Sequence, residues 1–454
     1  MRAYYRSSAM AYVHLPAHTA AAIRKSAAVD FVEPAGSVPA AGLSFAPSAS
    51  GVAPMTSTTV IRGAMAGQIV PWNVSFVQAP NAWGISTGAS AKIMFLGFGL
   101  IPSPDLPTVP PGNCAGLPNS CNSPYENGTL EAGVALALNN TYGVVGISYG
   151  ITPTDIWIWR TFTDDHLIDL NQEVSGLNYA ATHGIKTVLI DVIHSAYSQG
   201  EANQVAAAWT AGVITTTPVG NVTSSQPLSP LYPPSLANVV GVAGVKADSS
   251  FALYPLTGCA NLSNAGSNWG SLVTVAAPFW AYTTAYGGYA DTKTAYGYCA
   301  TGLSAAHVAA IVALLQDKNP TWTPSAIVQQ VTSTASHPSS KDTYIGYGIP
   351  NAAKALGYLP PPPPPPLSVT IGGPTLVKPQ VACTFWTNTA GGTPPYQYQW
   401  TVNGGDVVGT SDVFTYTNIG VGFTLAVHVT DAASGSASAS LVVNISSGAN
   451  DCTQ

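Results

Sequence analysis

The sequence predicts an α/β fold with a central, mostly parallel sheet, followed by a small all-β sandwich domain. Short apolar runs at residues 93–96, 187–190 and 239–242 alternate with longer helical stretches such as residues 167–183. This rhythm is typical of a parallel sheet covered by helices on both faces, because its strands are buried on both sides. Near the C-terminus, apolar residues instead alternate singly with polar ones, which indicates antiparallel strands.

One helix of the α/β part is expected to lie in the middle of the core. The run at residues 303–315 is apolar all round, which predicts a buried central helix. The run is too short to span a bilayer, and it contains Ser304. A serine inside a helix commonly bonds to the helix's own backbone, so a structural role is the first interpretation of Ser304.

The all-β part begins after a linker at residues 358–366, which holds seven consecutive prolines. Such a run forms a stiff polyproline II spacer about 20 Å long. Residues 367–448 then alternate with period two, and Tyr396, Tyr398 and Trp400 fall on one face. This pattern predicts a small antiparallel β-sandwich.

Composition excludes several classes of function and favours an extracellular protein. The chain has 14 Lys plus Arg in 454 residues and a net charge of −6, so we expect no nucleic-acid partner. It has no Cys-x-x-Cys, His-Glu-x-x-His or Walker motif. Only 7% of residues are charged, against about 25% in ordinary soluble domains. We expect no membrane span.

The chain has six cysteines, which indicates an oxidising compartment. Fifteen pairings are possible in principle. Proximity in sequence and membership of the same domain favour three bridges, Cys114 with Cys121, Cys259 with Cys299, and Cys383 with Cys452.

Residues 299–315, CATGLSAAHVAAIVALL, resemble the segment that carries the nucleophile in subtilisin-like serine peptidases. In that family the segment reads G-T-S-M-A-x-P-H-V-A. Alignment on His307 and Val308 places Thr301 at the family's threonine and Gly302 at its serine. The resemblance also implies that His307 is a structural core histidine.

The two other catalytic segments of that family also have counterparts in this chain, and each lacks its catalytic residue. Residues 93–106, IMFLGFGLIPSPDL, resemble the strand that ends in the catalytic aspartate, with Gly97 in its place. Residues 127–133, NGTLEAG, resemble the helix that begins with the catalytic histidine, with Asn127 in its place. We call Gly97, Asn127 and Gly302 the triad positions.

The resemblance covers most of residues 67–357 and implies the subtilisin-like three-layer fold. Residues 67–83 are similar to the mature N-terminus of these enzymes, and residues 212–221 to the strand that ends in the oxyanion-hole asparagine, here Asn221. Acyl transfer needs a nucleophile, a base and an orienting carboxylate, and none stands at the triad positions. The resemblance therefore implies a subtilisin-like fold without peptidase activity.

Other polar residues near these segments are candidates to replace the catalytic groups. Ser304 is the candidate for a rearranged nucleophile, and Glu131 lies one helical turn after Asn127, within reach of the site. Carboxyl peptidases of the sedolisin type use acids on this helix, but they also need the serine. Asp191 lies in an apolar strand, so it should be paired or have a raised pKa. We expect His194 to narrow the substrate cleft.

The termini complete the predicted domain organisation. Residues 10–35 resemble the end of the family's inhibitory propeptide, so we assign residues 1–36 to a propeptide remnant and residues 37–66 to an exposed connector. The chain begins without a signal peptide, which we take to be missing from this sequence. Residues 367–448 resemble immunoglobulin-like or polycystic-kidney-disease-type modules of secreted peptidases, and residues 449–454 form a tail.

The leading functional hypothesis is a secreted, inactive pseudopeptidase that binds a peptide or protein in the former cleft. The first alternative is an active serine endopeptidase or esterase that uses Ser304. The second is a structural or adhesive cell-surface protein, whose C-terminal domain would contact a surface or polysaccharide. The resemblance implies no certain cofactor; structural calcium is common in the family, but the sequence does not locate its ligands.

Overall fold

The computed structural model describes residues 3–5, 10–13, 19–20, 23–24, 29, 31, 33, 36–41, 68–117, 121–123, 125–163, 165–256, 265–284, 296–358, 365–448 and 452–453. The chain divides into two compact units, Met1–Leu359 and Pro360–Gln454. Each unit has its own hydrophobic core and is described by itself.

The strands of the first unit are mostly short and apolar. In chain order they are β1 (Ala3–Tyr5), β2 (Met10–Tyr12), β3 (Ser37–Pro39), β4 (Ile93–Gly97), β5 (Cys114–Gly116), β6 (Ile156–Arg160), β7 (Leu167–Asp169), β8 (Thr187–Ile190), β9 (Ile214–Pro218), β10 (Asn221–Val222), β11 (Val239–Val245), β12 (Gly266–Ser267), β13 (Val275–Pro278), β14 (Trp280–Thr283) and β15 (Tyr296–Cys299).

Seven of these strands form the central sheet, in the order β13-β11-β9-β8-β4-β6-β5. All neighbouring pairs are parallel. Strands β4, β8 and β9 are buried at every position, which explains the continuous apolar runs in β4 and β8. Strand β9 is buried as well, although three of its five residues are threonines. The predicted α/β fold class is confirmed, and three of its strands fall on the predicted runs.

The helices of the first unit cover both faces of this sheet. They are α1 (Trp72–Phe76), α2 (Ala79–Ala82), α3 (Asn127–Leu136), α4 (Leu170–His183), α5 (Gln199–Thr210), α6 (Thr301–Lys318), α7 (Pro324–Ser333) and α8 (Ala352–Ala355), with short 3-10 turns at Pro111–Asn113 and Pro153–Asp155. Helices α3 and α6 belong to one core cluster, whereas α4 and α5 pack into another.

Helix α6 is the predicted central helix. Every residue from Thr301 to Gln316 is buried, although the stretch includes Ser304 and His307. His307 Nδ1 donates to Leu303 O at 2.7 Å, and its Nε2 accepts from Asn73 Nδ2 at 3.0 Å. Burial lowers the pKa of His307 to about 4, so the ring is neutral and structural, as expected.

Helix α4 begins three residues later than the helical stretch that the sequence predicts. Residues Leu167–Asp169 form strand β7, and helix α4 starts at Leu170. The Asp169 side chain accepts from the backbone N–H groups of Asn171 and Gln172, so it caps the helix. This cap ends the extended segment and explains the difference.

The second unit is all β. Its strands are β16 (Ser368–Gly372), β17 (Leu376–Val377), β18 (Ala382–Ala390), β19 (Gln397–Val402), β20 (Val407–Gly409), β21 (Val413–Thr417), β22 (Phe423–Thr430), β23 (Ser436–Ile445) and β24 (Cys452–Thr453). They form a three-stranded sheet, β16-β18-β21, and a six-stranded sheet, β20-β19-β22-β23-β17-β24.

The two sheets of this unit share a core that contains Phe385 from one sheet and Trp400 and Leu425 from the other. Pairing is antiparallel except between β17 and β23. Strand β22 buries alternate residues, as its period-two pattern predicts. The C-terminal β-sheet region is therefore separate from the α/β fold.

Two of the three predicted disulfides lie in the described residues. Cys114 is bonded to Cys121 and Cys383 to Cys452. Cys299 is also disulfide-bonded, but its predicted partner Cys259 lies outside the described residues. Among the described residues no cysteine is free.

Replacing Cys383 with serine should destabilise the second unit. The bridge to Cys452 spans 69 residues and restricts the unfolded chain, so its loss should cost about 4 kcal/mol. Hydrogen exchange of peptides from residues 365–448 measures the change, and peptides from the first unit serve as the internal control. Equal protection in both proteins would contradict the expectation.

Within the part of the chain that the structure describes, no helix has the length and apolar character needed to cross a membrane.

Candidate functional site

The triad positions lie at the ends of elements that border the central sheet. Gly97 is the last residue of β4, Asn127 is the first residue of α3, and Gly302 is the second residue of α6. In α/β folds, residues at the carboxyl ends of parallel strands lie along one edge of the sheet, and binding sites are common at that edge.

Gly302 leaves space that another side chain fills. A Cβ atom added at Gly302 would collide with Oε1 of Glu131. Glu131 lies on α3, one turn after Asn127, and its side chain is buried. A glycine at position 302 thus makes room for a carboxyl group, and a serine there would displace that group.

The space beside Gly97 is likewise filled by another side chain, that of Asp191. The φ angle of Gly97 is +152°, where side chains other than hydrogen are strained, and an added Cβ would collide with Asp191 Oδ1. Asp191 directly follows β8, and its Oδ1 accepts from the backbone N–H of Phe98 at 3.1 Å. The carboxyl of Asp191 therefore occupies the space beside Gly97.

Glu131 and Asp191 interact directly and are both almost fully buried. Burial, followed by the negative charge of Asp191, raises the pKa of Glu131 well above its usual range. Burial also raises the pKa of Asp191 to about 7, while a hydrogen bond from Glu131 opposes the shift. The pair can share a proton, and Asp191 is both paired and shifted, as the sequence predicts for a carboxyl in an apolar strand.

Asn221 stands next to Gly302 through its contact with Thr301. The Oδ1 atom of Asn221 accepts from the backbone N–H of Thr301 at 2.9 Å and from its hydroxyl at 3.0 Å. These bonds orient the side-chain amide at the first turn of α6. Asn221 is therefore held at the edge of the same site as Glu131 and Gly302.

Ser304 has the environment of a structural serine. Its side chain is fully buried, and its hydroxyl donates to the carbonyl oxygen of Pro278 at 3.0 Å. A nucleophilic serine needs a base within hydrogen-bond reach. The hydroxyl bonds instead to a main-chain carbonyl, which accepts no proton at neutral pH.

The N-terminal segment lies between two backbone edges of the first unit, one of which is two residues beyond Asp191, and we call the space between these edges the cleft. Strand β3 pairs with β7 in antiparallel register, from Ser37 opposite Asp169 to Pro39 opposite Leu167. On the other side Ala40 bridges to His194, and the Ala41 N–H donates to the Ile193 carbonyl at 2.8 Å. Residues 37–41, predicted as part of an exposed connector, thus lie between two backbone edges of the first unit.

Glu33 anchors the same segment. Its carboxylate accepts from the Ser198 hydroxyl at 2.7 Å and from the backbone N–H groups of Gln199 and Gly200 at 2.9 Å each. These donors form the first turn of α5, where unpaired N–H groups and the helix dipole favour an anion. The sequence analysis did not single out Glu33.

His194 does not narrow the cleft, contrary to the sequence-based expectation. Only its backbone borders the cleft, whereas its side chain is 0% exposed and lies beside Glu201, with Nε2 3.3 Å from Oε2. The Glu173 carboxylate completes a buried cluster. Burial raises the pKa of Glu201 to about 8 and the pKa of Glu173 well above normal, and it lowers the pKa of His194.

The sequence analysis missed Glu173 and Glu201. Glu173 lies near the N-terminus of helix α4, and Glu201 lies near the N-terminus of helix α5. Acidic residues at such positions are ordinarily exposed and stabilise the helix. Only the packing of the two helices against each other reveals that both side chains point inward.

Comparisons with known proteins agree with this arrangement. The subtilase family model matches residues 119–348. Subtilisin BL of Lederbergia lenta is 27% identical over 291 residues, which make up 63% of this chain and 99% of the relative. Thermitase of Thermoactinomyces vulgaris is 28% identical over 287 residues, which make up 62% of this chain and 94% of the relative.

Solved structures share the fold. MycP1 from Mycobacterium smegmatis superposes with a TM-score of 0.53 at 18% identity, over 73% of this chain and 94% of that chain. Fervidolysin from Fervidobacterium pennivorans, a keratinolytic enzyme related to subtilisin, gives a TM-score of 0.56 at 18% identity, over 90% of this chain and 68% of that chain. The family model spans half of the sequence and the fold agrees with it, so this chain belongs to the subtilase family.

Proposed function

We propose that this protein is a secreted pseudopeptidase, a subtilase-fold protein that binds extended peptides without cleaving them. The observation that carries the proposal is the environment of Gly302. Position 302 has no hydroxyl, and the Glu131 carboxyl fills the space that a serine side chain would need. The missing nucleophile is thus accompanied by a neighbour that has taken its place.

The chemistry of the family supports inactivity. In subtilisin, loss of the serine or the histidine alone costs about six orders of magnitude in turnover. Here Gly97, Asn127 and Gly302 supply neither nucleophile, base nor orienting carboxylate. Asn221 could polarise a carbonyl, but polarisation without a nucleophile gives no acyl transfer.

The same cleft retains what peptide binding requires. Two backbone edges, β7 and residues 193–194, bond to the chain's own residues 37–41 as an added strand. Main-chain hydrogen bonds of this kind bind extended peptides largely without regard to sequence, and side-chain pockets add preference. Val38 supplies such a contact, because it packs against the core cluster around Phe98 and Ile168.

Secretion is supported by composition and by the disulfides. Disulfides persist in oxidising compartments, and bonds such as Cys114–Cys121 and Cys383–Cys452 fit that environment. The low charged fraction of 7% fits a polar but uncharged outer surface.

A fluorophosphonate probe tests the inactive site. We expect no covalent labelling of the purified protein, because the hydroxyl of Ser304 is buried and lacks a base. Thermitase serves as the positive control, and the Ser304→Ala variant identifies the site of any label. Stoichiometric labelling that disappears in Ser304→Ala would overturn the proposal.

Peptide binding is tested with a fluorescent peptide of residues 31–41. The Val38→Asp variant should loosen the chain's own strand, because it places a charge against an apolar cluster, so the variant should bind the peptide more tightly than the wild type. Ser37→Asn changes the exposed neighbour and serves as the matched control. Absence of binding by Val38→Asp would contradict a peptide-binding cleft.

A further inference from the structure

We propose that Glu173, His194 and Glu201 bind a divalent transition-metal ion such as zinc, in a buried site behind the peptide cleft. The three side chains come from α4, from the segment after β8, and from α5. This site is separate from the triad positions and does not depend on the proposed peptide binding.

The geometry of the cluster suits a metal. Each residue offers one ligand atom, and these atoms all lie within 4.8 Å of one another. His194 Nε2 and Glu201 Oε2 are 3.3 Å apart. Two ligands at about 2.0–2.1 Å from a tetrahedral zinc ion lie roughly 3.3 Å apart, so this pair already has the spacing of two zinc ligands.

The polar atoms of the cluster have few partners outside it. Both carboxylate oxygens of Glu173 and Glu201 and both ring nitrogens of His194 are buried and make no well-formed hydrogen bond among the described residues. Their electrostatic partners include one another and the backbone of Ala196. All three side chains are 0% exposed. Buried polar atoms are normally satisfied, and a bound cation would satisfy one atom of each of the three side chains.

The donor set selects the type of ion. One imidazole nitrogen with two carboxylates matches zinc and similar transition metals, since imidazole suits these ions and carboxylates also ligate them. Calcium takes six to eight oxygen ligands, which three buried side chains with only four carboxylate oxygens do not provide. We therefore assign the site to a transition metal and not to the structural calcium that is common in the family.

The position of the site gives the ion a structural role. The His194 backbone bridges to Ala40 on one side and to Tyr232 on the other. Its side chain would be fixed by the ion to two helices, α4 and α5. A bound metal would therefore hold the cleft edge at a constant position relative to the helix that Glu33 caps.

The experiment measures the metal content of the full chain. The protein is unfolded in denaturant with a chelator, refolded with a small excess of Zn²⁺ or without metal, desalted, and analysed by mass spectrometry for zinc. Glu201→Gln removes one ligand at nearly constant shape. Glu131→Gln is the matched control, because it neutralises a buried carboxyl outside the cluster.

The wild type and Glu131→Gln should retain about one zinc ion per chain, and Glu201→Gln should retain none. Zinc should also raise the unfolding midpoint of the wild type by roughly 5 °C at a hundredfold excess over its dissociation constant, and should leave Glu201→Gln unchanged. Co²⁺ in place of Zn²⁺ should give visible absorption that Glu201→Gln lacks.

Two results would overturn the assignment. A wild type that refolds with Zn²⁺ and holds none would mean that the three groups only share protons with one another. Equal zinc content in the wild type and Glu201→Gln would mean that the ion binds elsewhere. A wild type that holds no zinc refutes the assignment by itself, so the test does not depend on whether Glu201→Gln folds.

Discussion

The free energy of unfolding should fall as the pH rises from about 4 to about 8. Asp191, with a pKa of about 7, and Glu131 bind protons more tightly in the folded than in the unfolded chain. Asp105 behaves likewise, because burial raises its pKa to about 7. Where the folded state binds more protons, stability decreases with increasing pH. The shift of Asp191 alone, from 3.8 to about 7, corresponds to about 4 kcal/mol.

Chemical denaturation at several pH values between 4 and 8.5, with a chelator present, measures this effect. The loss of stability should begin above the unfolded pKa of about 4 and, because burial also raises the pKa of Glu201 to about 8, be complete only above about pH 8. Asp191→Asn removes one titrating group and should flatten the curve.

Burial lowers the pKa of His307 to about 4 and also lowers that of His194, so these two groups act in the opposite direction and offset part of the fall below about pH 6.5. The surface residues Asp248 and Asp431 have lowered pKa values and titrate below this pH range. Stability that rises from pH 4 to pH 7 would refute the expectation.

Gly302→Ala should destabilise the protein by about 1–2 kcal/mol, because overpacking outweighs the roughly 1 kcal/mol by which a helix favours alanine over glycine. The new Cβ would collide with the Glu131 carboxyl in a tightly packed interior. In a Glu131→Ala background that carboxyl is absent, so the same substitution should cost much less. A double-mutant cycle by denaturation at pH 5 measures the difference.

Gly112→Ala is the matched control, because a Cβ at Gly112 would meet nothing within 4 Å. It should change stability by less than about 0.5 kcal/mol. Additive effects of Gly302→Ala and Glu131→Ala would mean that the carboxyl does not occupy the space beside position 302.

The same contacts limit any attempt to restore a triad. Asp at 97, His at 127 and Ser at 302 would place two new side chains where Asp191 and Glu131 already lie. Position 97 would also need a non-glycine residue at a φ of +152°. A restored triad therefore requires Glu131 and Asp191 to change as well.

The fold could be predicted from the sequence because its signals are local. The runs that became β4, β8 and β11 are apolar over several consecutive residues, and α6 is apolar on all sides. The alternation around Trp400 likewise predicted a second, all-β unit. The start of α4 could not be placed, because Asp169 can extend a helix or cap one.

The site was predictable only in part. Glu131 was expected near Asn127 from helical spacing, but its partner Asp191 is 60 positions away and comes into contact only through the order of the sheet. The same holds for Glu173, His194 and Glu201, which no short motif connects. Long-range packing creates both clusters, so neither leaves a spacing signature in the chain.

The strand formed by residues 37–39 would compete with any other peptide for the same backbone edges. A segment that belongs to the same molecule competes at an effective concentration that is commonly in the millimolar range. A free peptide that makes only the same backbone contacts would therefore reach half-occupancy near that concentration. Ligands must exceed the chain's own segment in affinity, or a protease must first cut it away. A cleft that binds peptides as proposed above would thus favour abundant or unusually well-matched peptides, and competition with the chain's own segment would select among them before any side-chain pocket acts.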